Sequence, residues 1–266
     1  MVRDRRRPLL PQDAQTGFFR YRVSHLASLA IRNWPWKGKN SISPWIQTAI
    51  LFAIYLLATS VYTWPLLRDL GTRLPSDPAD PVFNTSILWW NATTVPFSPQ
   101  WWNAPHYYPS ASVAAFTENL VGLAPIATPA YWLRRNPVAA YNVAYFLTYA
   151  LSALAVFLLV ESLTKRRDAA FLAGFTYAFT PYRTTEIAHI QSLTAYWLPM
   201  ALVGLHRYLQ DRRGQWLVLF AVCWPLQALS NGYYMLYGGI VIGCWLIYFC
   251  TTRVTRRLGL DILGVW

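Results

Sequence analysis

Residues 214–252 read GQWLVLFAVCWPLQALSNGYYMLYGGIVIGCWLIYFCTT, with no Asp, Glu, Lys or Arg anywhere in the run. A bilayer with a hydrocarbon core about 30 Å thick is crossed by about 20 helical residues. The run is therefore long enough for two crossings, and Ser230-Asn231-Gly232 supplies the turn between them. A second charge-free run, Asn40 to Leu67, has room for one more. A helix of that length in a soluble core would still need a wetted, charged face. The expected fold is all-α: a polytopic transmembrane helical bundle.

The rest of the chain follows the same grammar. Of 266 residues, 55% are hydrophobic and only 13% charged, with a formal net charge of +12. The charges gather in clumps between apolar runs. Six spans are expected, near Trp45–Leu66, Val138–Val160, Ala169–Tyr182, Ile190–Leu205, Trp216–Leu229 and Tyr233–Cys250. With the N-terminus cytoplasmic, the basic clusters at 165–167, 206–213 and 253–257 all fall inside, as the positive-inside rule requires. Counting Asn119–Leu133 as a seventh span would put those clusters outside. That stretch is short and carries Pro125 and Pro129, so it is expected to be an interfacial or re-entrant piece held against protein. This choice leaves Arg134 and Arg135 on the outer side.

The expected organisation is a basic cytoplasmic leader, residues 1–43, and a transmembrane domain, residues 44–266. The leader opens with Arg3, Arg5, Arg6 and Arg7, and no cleavable signal follows it. The first span then acts as an uncleaved anchor. Within the leader, Phe18–Trp36 mixes aromatic and basic residues, which suits either the inner leaflet or a solvated tail. The transmembrane domain includes a long first outer loop, residues 67–136. Its expected interfacial helix, Pro81–Val95, places Phe83, Ile87 and Trp90 at helical spacing.

Strong basicity raises the question of nucleic acid. A nucleic-acid binder gathers Lys and Arg on one exposed face, whereas here they flank apolar runs, so no nucleic-acid partner is expected. Cys223, Cys244 and Cys250 lie inside apolar runs without metal-ligand spacing, so buried, inert thiols are expected.

Acidic residues are few, and their placement is informative. In Ser76-Asp77-Pro78-Ala79-Asp80-Pro81, two carboxylates three apart suit a divalent cation or a general base. The same residues also suit a purely structural role, with Asp80 capping the Pro81 helix and Asp77 making a turn. A second group, Arg183, Glu186, His189 and Gln191, sits at the ends of two spans. Glu186 and His189 share a face if helical, and form either a metal or proton-transfer pair or part of an interfacial anchor in which Arg183 pairs with Glu186. The aromatic residues Trp89, Trp90, Trp101, Trp102, Tyr107 and Tyr108, with His106 beside them, suit stacking on sugar faces and also an interface belt. Asn84-Thr85-Ser86 and Asn91-Ala92-Thr93 match glycosylation acceptors, a pattern common by chance. No phosphate-cradling Gly loop or metalloprotease motif is present.

The order of several short motifs resembles the GT-C-type integral membrane glycosyltransferases, and their uncharacterised bacterial members in particular. The motifs are Asp80-Pro81, Trp89-Trp90, Tyr108-Pro109, Asn136-Pro137 with Tyr141-Asn142, the run Ala178 to Arg183, His189-Ile190-Gln191 and Trp197-Leu198-Pro199. The resemblance covers roughly residues 45–250. It implies a bacterial cytoplasmic (inner) membrane protein that moves a sugar from a polyprenyl-phosphate donor to an acceptor on the outer face. Asp80, with Asp77 second, takes the catalytic role. Asp80, Glu186 and His189 take that of ligands to a divalent cation, Mg or Mn. Arg183, His189, Trp89 and Trp90 line the substrate, Arg183 because its planar fork suits phosphate oxygens. Family members carry more spans and often a further outer domain, which casts this chain as a truncated product or the N-terminal half of one. The competing expectation is a non-catalytic membrane subunit working with a second membrane chain, or a carrier of lipid-linked substrates. Nearly charge-free span interiors speak against ion-coupled transport.

Overall fold

The computed structural model describes residues 43–76 and 78–257. Asp77, nearly all of the leader and the tail from 258 lie outside the described residues. By internal contacts the chain divides into Met1–Ala49 and Ile50–Trp266. In the first, the described part is the start of helix α1 (Pro44–Tyr62), whose Gln47 amide donates to Ser43 O. Everything below concerns the second.

The described residues form helices and turns, with no strand among them. Three helices are long and apolar enough to cross a membrane, their apolar windows running Trp45–Tyr62, Pro137–Thr164 and Gly232–Thr252. The chain thus has the character of an integral membrane protein. Two of the other apolar runs break into shorter helices than the six-span reading expects. Ala169–Tyr182 gives α6 (Arg167–Ala178) and then breaks before α7 (Pro181–Thr185). Ile190–Leu205 breaks too, into α8 (Ile190–Leu193) and α9 (Trp197–Asp211).

Local chemistry explains these boundaries. Pro181 fixes the first turn of α7 and has no N–H to continue α6. At the α8–α9 break, the Thr194 hydroxyl donates back to Ile190 O. Gln227 of α10 (Gly214–Ala228) then takes up the groups the break frees, donating to Thr194 O and accepting from the Leu198 amide. Buried backbone groups must be paired, and Gln227, fully buried, does this with one side chain. The chain closes with α11 (Gly232–Arg257).

The axis of the structure is α5 (Pro137–Thr164), over half buried along its apolar window. Asn136 starts it, accepting from the Ala139 amide, and Pro137 follows at the favoured first position. Small residues then let α6 come close: Ala150, Ala153 and Ala170 are fully buried beside Tyr55 and Phe157. A Cβ on Gly174 would meet Ala153 O at 2.4 Å, so glycine is required for that approach. Farther along the chain, Leu202, Leu205, Leu209 and Ile242 bind α9 to α11, with Phe220 and Trp224 of α10 against them.

The segment between the first two long helices carries α2 (Asp80–Thr93), α3 (Pro99–Trp102) and α4 (Ala124–Arg134). It is packed against α5 rather than loose. Asn142 of α5 donates to Leu70 O and Arg73 O, and Asn136 donates to Gly71 O. Ile87, Leu88, Leu120, Leu123 and Ala127 share a core with Tyr141, Tyr145 and Tyr149. A 3-10 turn, Val121–Leu123, seats on the α10–α11 turn: the Gly122 amide donates to Leu229 O, and the Trp197 indole N–H donates to Gly122 O.

The structure resolves one chance pattern and corrects one expectation. Asn84 and Asn91 are buried, Asn84 donating to Gln191 and Asn91 to Asn119 O, so neither triplet presents a glycosylation acceptor. Of the cysteines, Cys223 is buried as expected, but Cys244 and Cys250 lie exposed along α11.

Candidate acid–imidazole site

Asp80 stands at the first turn of α2. The sequence suggests that it caps the helix, but the structure gives it another task. The N-cap is Ala79, and no side chain caps the helix. The Asp80 carboxylate instead faces His189 Nε2 at 3.0 Å. On the other edge of the ring, Glu186 Oε2 lies 3.1 Å from His189 Nδ1. That second contact lies off the hydrogen-bonding direction, and Nδ1 has no hydrogen-bond partner. One imidazole thus stands between two carboxylates, both partly exposed.

Segments distant in sequence make this site. The α7 helix ends at Thr185, and its C-cap Glu186 is followed by a turn in which the His189 amide donates to Glu186 O. That turn swings His189 towards the start of α2. The Asn84–Gln191 hydrogen bond, 3.1 Å, holds α2 to α8 one turn away. A carboxylate at a helix N-terminus is also favoured by the helix dipole.

Arg183 lies on the same short helix as the turn but faces inward. It is 3% exposed and forms no ion pair with Glu186, contrary to the anchoring alternative. Its Nη2 donates to Leu193 O at 2.8 Å, and its guanidinium sits 4.6 Å from the Tyr149 ring centroid. Arg183 Nε has no hydrogen-bond partner. Among the described residues Arg183 has no carboxylate partner at all. A buried cation held by a ring face, a carbonyl and the Thr148 hydroxyl, with no counter-charge, is an incomplete arrangement.

Between the two lies a feature that the motif reading overlooks. Tyr141, Tyr145 and Tyr149 fall four apart on α5, so they line one face. Tyr141 and Tyr145 are stacked, with ring centroids 6.3 Å apart, and the Tyr145 and Tyr149 hydroxyls meet at 3.0 Å. Tyr149 carries the Arg183 guanidinium over its ring. The i, i+4 spacing of the tyrosines is legible in the sequence, but nothing there tells a ladder from ordinary core.

Other expected site residues stand apart. Trp89 and Trp90 lie nine and ten residues along α2 from Asp80, about 14 Å at the helical rise. Trp90 donates to Trp101 O and packs with Trp101, Ala114 and Val121, so it builds the loop's own core. Asp77 lies outside the described residues. Asp69 pairs with Arg73. Burial pushes the Glu118 carboxyl above the usual carboxylate range, partly offset by the Gly232 N–H.

A divalent cation does not fit the group as it stands. No set of three or more His, Cys, Asp or Glu among the described residues is disposed to hold a metal ion. Asp80 and Glu186 both direct an oxygen at His189, where a cation would need those oxygens itself. The chemistry the arrangement offers is proton transfer beside a buried positive charge.

Comparisons with family models, with curated proteins and with solved structures find no match for this chain.

Proposed function

We propose that this chain, or the longer protein it belongs to, is a membrane glycosyltransferase that moves a sugar from a polyprenyl-phosphate donor to an acceptor hydroxyl at the outer membrane face. The observation that carries the reading is the meeting of Asp80, His189 and Glu186 close in sequence to the buried, carboxylate-free Arg183. The acceptor oxygen attacks the sugar C1 as the C1–O bond to phosphate breaks, and the bonding pair leaves with the phosphate. The acceptor proton passes to the Asp80–His189 pair, with Glu186 balancing the imidazolium. Arg183 supplies positive charge for the departing phosphate. No step needs a metal.

In this reading the chain crosses the inner membrane six times, with α6, α9 and α10 as short spans and residues 67–136 outside. Both termini are cytoplasmic. Cysteine labelling in intact cells tests that topology. A cysteine placed at Ser110 is expected to label from outside and one at Gln210 only after permeabilisation, and the reverse pattern defeats the arrangement.

Activity is tested by supplying the purified full-length protein in bilayers with polyprenyl-phosphate-linked sugars and an acceptor extract. Transfer is expected from the lipid-linked donor and none from a nucleotide sugar. If no lipid-linked sugar is used and the protein co-purifies with a second membrane chain, the subunit reading replaces this one.

A further inference from the structure

Arg134 and Arg135 end α4 on the exposed surface, and neither forms an ion pair among the described residues. They are also the basic pair that the topology above leaves on the outer side. Beside them runs an open apolar groove of about 640 Å³, lined by Val95, Val121, Pro125, Pro129, Trp132 and Leu226 among others. Three of its polar side chains are already committed to the protein. Asn91 donates to Asn119 O and accepts from the Trp101 indole, Thr93 donates to Trp89 O, and the Trp132 indole donates to Ala92 O. Apart from the Thr94 and Thr128 hydroxyls the lining is apolar or already bonded, so the groove suits a chain of methylenes.

Its dimensions agree with that occupant. The α4 face from Ala124 to Trp132 is about 13 Å long at the helical rise. One leaflet of the hydrocarbon core is about 15 Å deep. The α4 positions lining the groove, 124, 125, 128, 129 and 132, lead along the helix towards Arg135, whose guanidinium rests 6.0 Å from the Tyr131 ring centroid. Positive charge at the end of a tail-sized apolar groove is complementary to a phospholipid that has one acyl chain in the groove and its phosphate at the arginines.

We propose that the α4 groove is a binding site for an anionic phospholipid, with Arg134 and Arg135 holding the headgroup. The site is separate from the acid–imidazole cluster and stands whether or not the chain transfers sugars. Its occupancy would satisfy the two arginines on the side of the membrane where the charge rule disfavours them.

The test is native mass spectrometry of the full chain released from nanodiscs containing equal phosphatidylglycerol and phosphatidylcholine, with a trace of polyprenyl phosphate. Wild-type protein is expected to retain one phosphatidylglycerol in about tenfold preference to phosphatidylcholine. Arg134→Gln with Arg135→Gln is expected to remove the preference while phospholipid is still retained. Thr128→Trp, which fills the groove, is expected to lose both lipids. Circular dichroism and gel filtration confirm that each variant is folded, and the two variants fail independently. Equal retention of the two phospholipids by wild type, or retention untouched by both variants, overturns the proposal. Retention of polyprenyl phosphate in place of phospholipid also overturns it and assigns the groove to a donor tail.

Discussion

Asp80→Asn is expected to lower sugar transfer by the full-length protein about 10²- to 10⁴-fold, the range a positioned acid–base group contributes, while the fold survives. Asn has nearly the same size, and its side-chain oxygen can accept the contact that Asp80 makes with His189 Nε2. No helix cap is lost, because Asp80 caps nothing. The Asp80 side chain is half exposed, so removing its charge strands no buried group. Surface changes of this kind shift stability by about 0.5 kcal/mol or less. Transfer and thermal melting are measured on the same preparation. Wild-type transfer by a normally folded Asp80→Asn protein removes Asp80 from the chemistry, and lost transfer with a collapsed melting transition assigns it a structural task.

Gly122→Ala is expected to have the largest effect on stability, a loss of about 3 kcal/mol or more. The added methyl would stand 2.0 Å from Leu226 O and 1.9 Å from Ser230 Oγ. The serine hydroxyl can rotate, at the expense of its bond to Leu226 O, but the carbonyl belongs to the helix backbone and cannot. Relief requires the 121–123 turn to lift, which also breaks the Gly122 amide bond to Leu229 O and the Trp197 indole bond to Gly122 O. Gly243→Ala is the control, since nothing lies within 4 Å of its Cβ position, and alanine there favours the helix by about 1 kcal/mol. Melting temperatures in detergent compare the two. A Gly122→Ala protein as stable as wild type contradicts the close seating of the turn.

Much of the helical content is legible in the sequence because it depends on charge-free length. The run around Val138–Val160 becomes α5, and Tyr233–Cys250 lies within α11. Helix interruptions are harder to read. Ile190–Leu205 looks continuous by apolarity, yet Pro199 has no N–H to give Ala195 O, and the freed backbone is satisfied by Gln227, 33 positions beyond Thr194. The convergence of Asp80, Glu186 and His189 could be anticipated from their positions at helix ends. The inward turn of Arg183 could not, because its partners are a ring face, a carbonyl and the Thr148 hydroxyl, which leave no complementary charge in the sequence. Asp80 is ambiguous in the sequence for a related reason: Asp before Pro suits a cap as well as a site, and only the distance to His189 separates the two.

The helices α6, α9 and α10 have 12, 15 and 15 residues, which is about 18 to 22 Å of helix against a core of about 30 Å. Beside them α5 runs 28 residues, about 42 Å. A sheet of lipid cannot match both lengths at once. If the short helices span, the bilayer must pinch on their side and stay thick along α5, at a fraction of a kcal/mol per ångström of mismatch. The protein then sits in a dimple of its own making, where headgroups and water are drawn down towards the polar turns and a lipid headgroup travels a shorter distance to reach them.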